Sequence, residues 1–274
     1  MSEQLEMDEL AYSSRMLDWA PLGKLLLVMA LLIVGLCTDS IVVPLITFTI
    51  GIILMAYSTN MRIPTILALG IAEAIVIMVI GSGMISIMGN ESEPALWDGQ
   101  LLWFKVHMTV TSFNKAWLIF FRAVAGVTLM LSFASSTPIP HLAQSLRSLR
   151  CPKELVELIV LIYRYAFLLL ERFLVMLDAA QCRLGYNGPM TAIKSYGGAM
   201  AGTFIFSMEL AEKSEASLAC RNYQGYLPIY RLPRSMSWKW VVFTFALAAV
   251  LLYIGWETVG LIDMEHIFAP YFGW

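Results

Sequence analysis

The chain has 274 residues, of which 59% are hydrophobic and 14% charged, and its mean hydropathy is +0.72. Soluble domains average about half apolar and a quarter charged residues, so this composition indicates an integral membrane protein. The formal net charge of −2 argues against a nucleic-acid partner, because phosphate binding needs a strongly basic surface. The four cysteines form no CxxC pair and have no nearby histidine at ligand spacing, so neither a metal site nor a disulfide framework is predicted.

Five apolar runs are predicted to cross the membrane, because each approaches the roughly 20 residues that a spanning helix needs. An acidic segment, residues 1–24, precedes them and is expected to stay on the cytoplasmic side. The first four runs make a transmembrane region of residues 25–134, and the fifth opens a C-terminal region of residues 238–274. The runs cover residues 25–37, 41–57, 63–88, 117–134 and 241–255.

Most of the 18 lysines and arginines lie in or beside one block, residues 135–237, between the fourth and fifth runs. Cytoplasmic loops carry an excess of these residues, so the block is predicted to be cytoplasmic. Counting spans outward from it places the N-terminus in the cytoplasm. The tail beyond the last span has no lysine or arginine and is predicted to be external.

The basic block is predicted to form three helices, separated at Pro152 and at residues 185–189. They are expected over Ile139 to Arg150, Lys153 to Leu184 and Thr191 to Asn222. The second contains an apolar stretch, residues 155–177, that could be a further span. Its charges recur every seven residues and line one stripe, which favours an amphipathic helix at the membrane surface. These charges are Glu157, Arg164, Glu171 and Asp178.

Gly198 and Gly202 lie four residues apart in the third of these helices, within a patch of small residues. Such a patch lets another helix approach closely, and the second helix is the natural partner. Any tight helix contact would also explain the patch. The sequence therefore predicts an all-α membrane protein with about five spans and three cytoplasmic or interfacial helices, the last two long and crossed.

Each of the two long helices ends in a matching triplet, Cys182-Arg183-Leu184 and Cys220-Arg221-Asn222. Gly185 and Asn222 suit the left-handed residue that commonly closes a helix. Each arginine could simply stabilise the end of its own helix. Arginine also grips a carboxylate through two parallel hydrogen bonds, and two equal endings favour a docking role with two equivalent partner sites.

Glu73 and Arg122 lie inside predicted spans and could pair with each other. This pair is the basis of one alternative, a stand-alone membrane enzyme or channel. Against it, the chain has neither a phosphate-binding loop of the Walker type nor an HExxH or GxSxG motif. We therefore expect a chain that is not an enzyme and needs no cofactor.

The sequence resembles the transmembrane T component of energy-coupling factor (ECF) transporters, and within it the CbiQ-like subunits of cobalt and nickel uptake systems. The resemblance covers most of the chain. It depends on residues 17–21 with Lys24, on Ser136-Thr137-Pro138, on residues 146–153 and on Tyr163-Arg164-Tyr165, together with the two arginine endings.

In that family the endings are similar to Ala-Arg-Gly, so Cys182 and Cys220 replace the alanine, and Leu184 and Asn222 replace the glycine. The resemblance implies that each arginine binds an acidic residue in a groove of one of two ATPase subunits of the CbiO type. It also implies a substrate-binding membrane subunit of the CbiM type, with a small accessory subunit, in the plasma membrane of a prokaryote. A vitamin importer is the alternative, because another subunit selects the substrate.

Overall fold

The computed structural model describes residues 10–60, 64–87, 95–101, 104–146, 149–223 and 236–258. Most of these residues are helical, in agreement with the predicted all-α membrane fold. The helices are α1 (Pro21–Cys37), α2 (Val42–Ser58), α3 (Thr65–Ile87), α4 (Val110–Ser136), α5 (Ile139–Leu146), α6 (Lys153–Cys182), α7 (Pro189–Cys220) and α8 (Trp238–Glu257).

Local chemistry explains where several helices begin. Pro21 and Pro189 occupy the first turns of α1 and α7, where proline's missing N–H costs nothing. At the start of α4 the hydroxyl of Thr109 accepts a hydrogen bond from the backbone N–H of Ser112 at 3.2 Å. This is the usual N-terminal cap, and it lets α4 begin at Val110, seven residues before the predicted apolar run.

A two-stranded antiparallel hairpin precedes α4, and the sequence did not indicate it. Strand β1 (Ala95–Leu101) pairs with β2 (Phe104–Thr109), with Leu101 opposite Phe104. Its two strands have seven and six residues. The helical prediction thus holds for the described chain except at this short connection between α3 and α4.

The core of the helical bundle lies where α1, α2, α4 and α8 meet. Its fully enclosed side chains include Leu31, Val43, Leu129 and Leu251. Helices α2 and α4 approach closely at Gly51, where an added Cβ would lie 3.2 Å from a methyl group of Thr128. This packing joins apolar runs that are far apart in sequence.

In the part of the chain that the structure describes, three helical segments are long and apolar enough to cross a membrane: Thr65–Ser86, Ser112–Ser136 and Trp238–Glu257. Helices α1 and α2 are also apolar but have only 17 residues each. The membrane character of the chain is therefore confirmed, whereas the count of five spans stays a prediction. The predicted placement of residues 1–24 and 135–237 in the cytoplasm, and of the tail after the last span of residues 238–274 outside, also stays a prediction. Residues 1–9 and 259–274 lie outside the described residues.

The chain divides into two compact units, one made of residues 1–138 and 233–274 and the other of Ile139–Leu232. The second unit contains α5, α6 and α7, which correspond to the three helices predicted in the basic block. The breaks at Pro152 and at residues 185–189 lie where expected. Helix α5 ends at Leu146 rather than Arg150, and Arg150 has a left-handed backbone with φ of 62°.

Candidate coupling site at two helix ends

Arg183 directly follows α6 and occupies its C-terminal cap. The next residue, Leu184, is left-handed with φ of 56°. Its N–H donates to the carbonyl of Gln181 at 3.0 Å, and the N–H of Gly185 donates to the carbonyl of Ala180 at 2.9 Å. These two bonds define a Schellman motif, which satisfies carbonyls that would otherwise lack partners at the helix end.

Arg221 occupies the same position at the end of α7. Asn222 is left-handed with φ of 54°, and its N–H donates to the carbonyl of Ala219 at 3.1 Å. The N–H of Tyr223 donates to the carbonyl of Leu218, also at 3.1 Å. The two arginines therefore occupy the same position in two caps of the same type. The two triplets match in geometry as well as in sequence.

The structure corrects the prediction for the first cap, where Gly185 was expected to be the left-handed residue. Leu184 takes that conformation instead. Position 185 requires glycine for another reason, because neighbouring atoms leave no room for a Cβ. A Cβ on Gly185 would lie 2.5 Å from the hydroxyl of Ser195 and 2.8 Å from the carbonyl oxygen of Ala180. At the second cap Asn222 is left-handed, as expected. Both caps thus have a left-handed residue directly after the arginine, and neither of these residues is glycine.

Arg183 and Arg221 are both exposed, as are Cys182 and Cys220 beside them. Within the described residues neither guanidinium forms a hydrogen bond or an ion pair. Backbone N–H groups already bind the carbonyls of Ala180 and Gln181 at the first cap and of Leu218 and Ala219 at the second, so these carbonyls do not need an arginine side chain. Both cations are therefore available to a partner.

Helices α6 and α7 run antiparallel, and side chains join them at several levels. The hydroxyl of Tyr165 donates to Ser214 at 2.8 Å, and Arg172 lies over the ring of Phe206 at 5.1 Å. Near the end of α7, Tyr223 donates a hydrogen bond of 2.5 Å to Glu157, and this bond raises the pKa of Tyr223.

This register places the two arginines at opposite ends of the helix pair. Since Tyr223 is level with Glu157, Arg221 is level with the start of α6, whereas Arg183 closes that helix. The difference is roughly 24 residues of α6, or about 36 Å at 1.5 Å per residue. One binding groove cannot hold two groups so far apart.

Of the two glycines predicted at the crossing, Gly202 lies against α6 and Gly198 does not. A Cβ on Gly202 would lie 3.0 Å from the sulfur of Met176, whereas a Cβ on Gly198 would meet open space. The adjacent Thr203 hydroxyl also points at the sulfur of Met176, at 3.7 Å. Close approach of the two helices is therefore centred on Gly202.

The predicted pair of Glu73 and Arg122 is wrong. Arg122 forms an ion pair with Asp39 at 3.0 Å and also donates to the carbonyl of Thr38. Arg122 lies on the face of α4 that meets the turn between α1 and α2, whereas Glu73 is exposed on α3. The geometry therefore gives no support to an enzyme or channel built on these two charges.

Sequence analysis also missed a buried lysine that joins two of the motif segments. Lys24 donates to the carbonyl of Ser136 at 2.7 Å, and the hydroxyl of Ser14 lies 3.4 Å from the same oxygen. Nearby, Ser58 donates to the carbonyl of Ser135 at 3.4 Å. These contacts fix the C-terminal end of α4. The one available signal was a lone cation at the start of an apolar helix.

The described residues contain no group of three or more histidine, cysteine, aspartate or glutamate side chains that could hold a metal ion. The features that stand out chemically are the two exposed arginines and the carboxylate of Glu73, which has no ion pair within the described ranges.

Comparison with known proteins places the chain in a family. The sequence model for CbiQ, "Cobalt transport protein", matches residues 13–231. An uncharacterized protein of Methanocaldococcus jannaschii is 28% identical over 258 residues, which are 92% of each chain. A putative fused cobalt transport protein CbiMQ of Methanocorpusculum labreanum is 25% identical over 81% of this chain and 37% of its own. The cobalt transport protein CbiQ of Rhodobacter capsulatus is 32% identical over 42% of this chain and 47% of its own. The chain therefore belongs to the CbiQ cobalt transport protein family.

Proposed function

We propose that this chain is the transmembrane coupling (T) subunit of an ECF-type importer for cobalt or nickel ions. The observation that carries the proposal is the pair of matching caps, each with an exposed arginine that is free of partners within the described residues. The chain hydrolyses nothing in this scheme. Two separate ATPase subunits of the CbiO type bind ATP, and each offers an acidic groove to one arginine.

The separation of the arginines supports two ATPase grooves, one for each arginine, rather than a single shared groove. Two points about 36 Å apart along a helix pair suit two similar subunits that approach and separate as they bind and hydrolyse ATP. The arginines are fixed on rigid helix ends, and the two helices are in contact at Gly202. Motion of either ATPase groove would then move helices α6 and α7 together as a rigid body.

The recipient of this motion is proposed to be a substrate-binding membrane subunit of the CbiM type. Helix α7 carries large apolar side chains that remain exposed, which mark an interaction surface. They are Ile193, Met200, Phe204 and Met208. The fused relative, whose name joins CbiM and CbiQ, supports a neighbour of this kind. The proposed location is the plasma membrane of a prokaryote.

Charge reversal at the two caps tests the proposal. The chain is produced together with its ATPases and substrate-binding subunit, as wild type, Arg183→Glu, Arg221→Glu and the double variant. In each variant the new glutamate would face the acidic residue of the ATPase groove, and this should cost about 2 to 5 kcal/mol of binding free energy. We expect the double variant to lose the ATPases on copurification and to lose ATP-driven cobalt uptake.

Lys213→Glu is the matched control, since it reverses another exposed cation of α7, about two helical turns before the cap, that is paired only with the surface residue Glu209 within the described residues. It should leave assembly and uptake unchanged. Normal copurification and uptake by the double variant would show that the arginines do no more than cap their own helices, and would refute the coupling role. Uptake of a labelled vitamin, with no cobalt or nickel uptake, would refute the metal assignment alone.

A further inference from the structure

Glu73 is the sole charged residue of α3, an otherwise apolar helix of 23 residues. It is the ninth residue, so it lies about 12 Å from the start of a helix that is about 34 Å long. If this helix spans a hydrocarbon layer of roughly 30 Å, Glu73 lies about a third of the way across the layer. The side chain is exposed, and among the described residues it has no hydrogen bond or ion pair.

The surroundings of Glu73 follow from how α3 packs. The helix meets α4 through Leu67, which is fully buried, and through Gly70, where an added Cβ would lie 3.5 Å from Leu131. Glu73 lies about 120° around the helix from Leu67, and it is exposed at helical spacing among large apolar residues. These residues are Leu69, Val76, Ile80 and Met84, and they are 59% to 63% exposed. We call this surface the outer face of α3.

A carboxylate at this depth is costly in lipid. Ionisable side chains inside membranes almost always face protein or a water-filled cavity, and they pair there with a cation or a hydrogen-bond donor. Arg122, the intramembrane cation expected to serve Glu73, is engaged with Asp39. Among the described residues, therefore, no cation is paired with Glu73.

We propose that the outer face of α3 is a docking surface for the substrate-binding membrane subunit, which presents a cationic or hydrogen-bond-donating side chain to Glu73. This proposal rests on the proposed function. The ATPases are soluble subunits in this scheme, so they do not reach a residue inside the hydrocarbon layer. A second copy that paired through the same face would oppose two carboxylates, which repel each other.

Glu73→Leu separates docking from exposure to lipid, because the two cases predict opposite results. If the face met lipid, removal of the carboxylate would favour membrane insertion and leave assembly unchanged. If the face meets the partner, the partner's cation or donor loses its acceptor. In the coexpressed complex we expect about tenfold less substrate-binding subunit to copurify, with ATPase copurification as in wild type. Glu73→Gln keeps an acceptor and should give an intermediate loss.

Photo-crosslinking identifies the occupant directly. A benzophenone side chain at Val76 should form an adduct with the substrate-binding subunit, and the adduct should decline when Glu73→Leu is added. An adduct with lipid only, or with a second copy of this chain, overturns the proposal, as does unchanged assembly of Glu73→Leu. The ATPase readout keeps the two proposals distinct, since failure of coupling appears in the arginine variants and failure of docking in the α3 variants.

Discussion

Leu184 offers a sharp test of the cap geometry, because leucine rarely adopts a left-handed backbone. Its φ is 56° and its side chain is 72% exposed, so it is held there by the helix end and not by packing. The change Leu184→Gly removes the steric penalty between Cβ and the following carbonyl. It removes little buried apolar surface in exchange.

The size of the effect follows from two opposing terms. A left-handed backbone costs an ordinary residue about 1 to 2 kcal/mol. Glycine also lowers the stability by about 0.5 to 1 kcal/mol, because it makes the unfolded chain more flexible. The net gain for Leu184→Gly is roughly 0.5 to 1 kcal/mol, which lowers the equilibrium constant for local opening of the helix end about twofold to fivefold.

Hydrogen exchange measured by mass spectrometry reads this local opening. The informative amide is that of Gly185, which donates to Ala180 in the wild-type cap. Asn222→Gly is the matched control at the other cap. Asparagine tolerates the left-handed region far better than leucine, so we expect a change of no more than a few tenths of a kcal/mol there. Faster exchange in Leu184→Gly, after correction for intrinsic rates, or an equal gain in Asn222→Gly, would refute the reasoning.

Two further predictions concern the contacts inside each unit. Gly202→Val pushes a side chain into Met176, 3.0 Å from the new Cβ, and should cost about 1 to 3 kcal/mol, whereas Gly198→Val meets open space and should not. Equal melting temperatures of the two purified variants would contradict the contact. Lys24→Ala removes the donor to Ser136 and the buried stem of the lysine, and should lower the melting temperature by roughly 3 to 10 °C. An unchanged melting temperature would mean that this link contributes nothing to stability.

Local chemistry made the helix boundaries of the second unit predictable. Pro152 restricts its own φ and the backbone of the residue before it, which separates α5 from α6 whatever the tertiary fold. Asn222 tolerates a left-handed backbone, so the end of α7 could be located in the sequence. The repeated Cys-Arg pair then pointed to two equal helix ends.

Features that depend on tertiary structure could not be predicted. Leucine disfavours the conformation that Leu184 adopts, so the sequence directed attention to the neighbouring glycine, which is required by close contacts instead. Arg122 pairs with Asp39 from a turn that lies 83 residues earlier in the chain, and no periodicity reports such a contact. Burial of Lys24 likewise depends on where α4 ends.

The short length of α1 and α2 has a consequence for the membrane itself. A helix of 17 residues rises about 25 Å, which is less than a hydrocarbon layer of roughly 30 Å, whereas the 27 residues of α4 rise about 40 Å. If α1 and α2 cross the bilayer, as the sequence predicts, the bilayer beside the turn that carries Asp39 must thin, or lipid headgroups and water must bend inward to the ion pair with Arg122. Such hydrophobic mismatch costs free energy for as long as lipid surrounds that side of the bundle. A neighbouring subunit with equally short helices would relieve it, so bilayer thickness itself would favour assembly there.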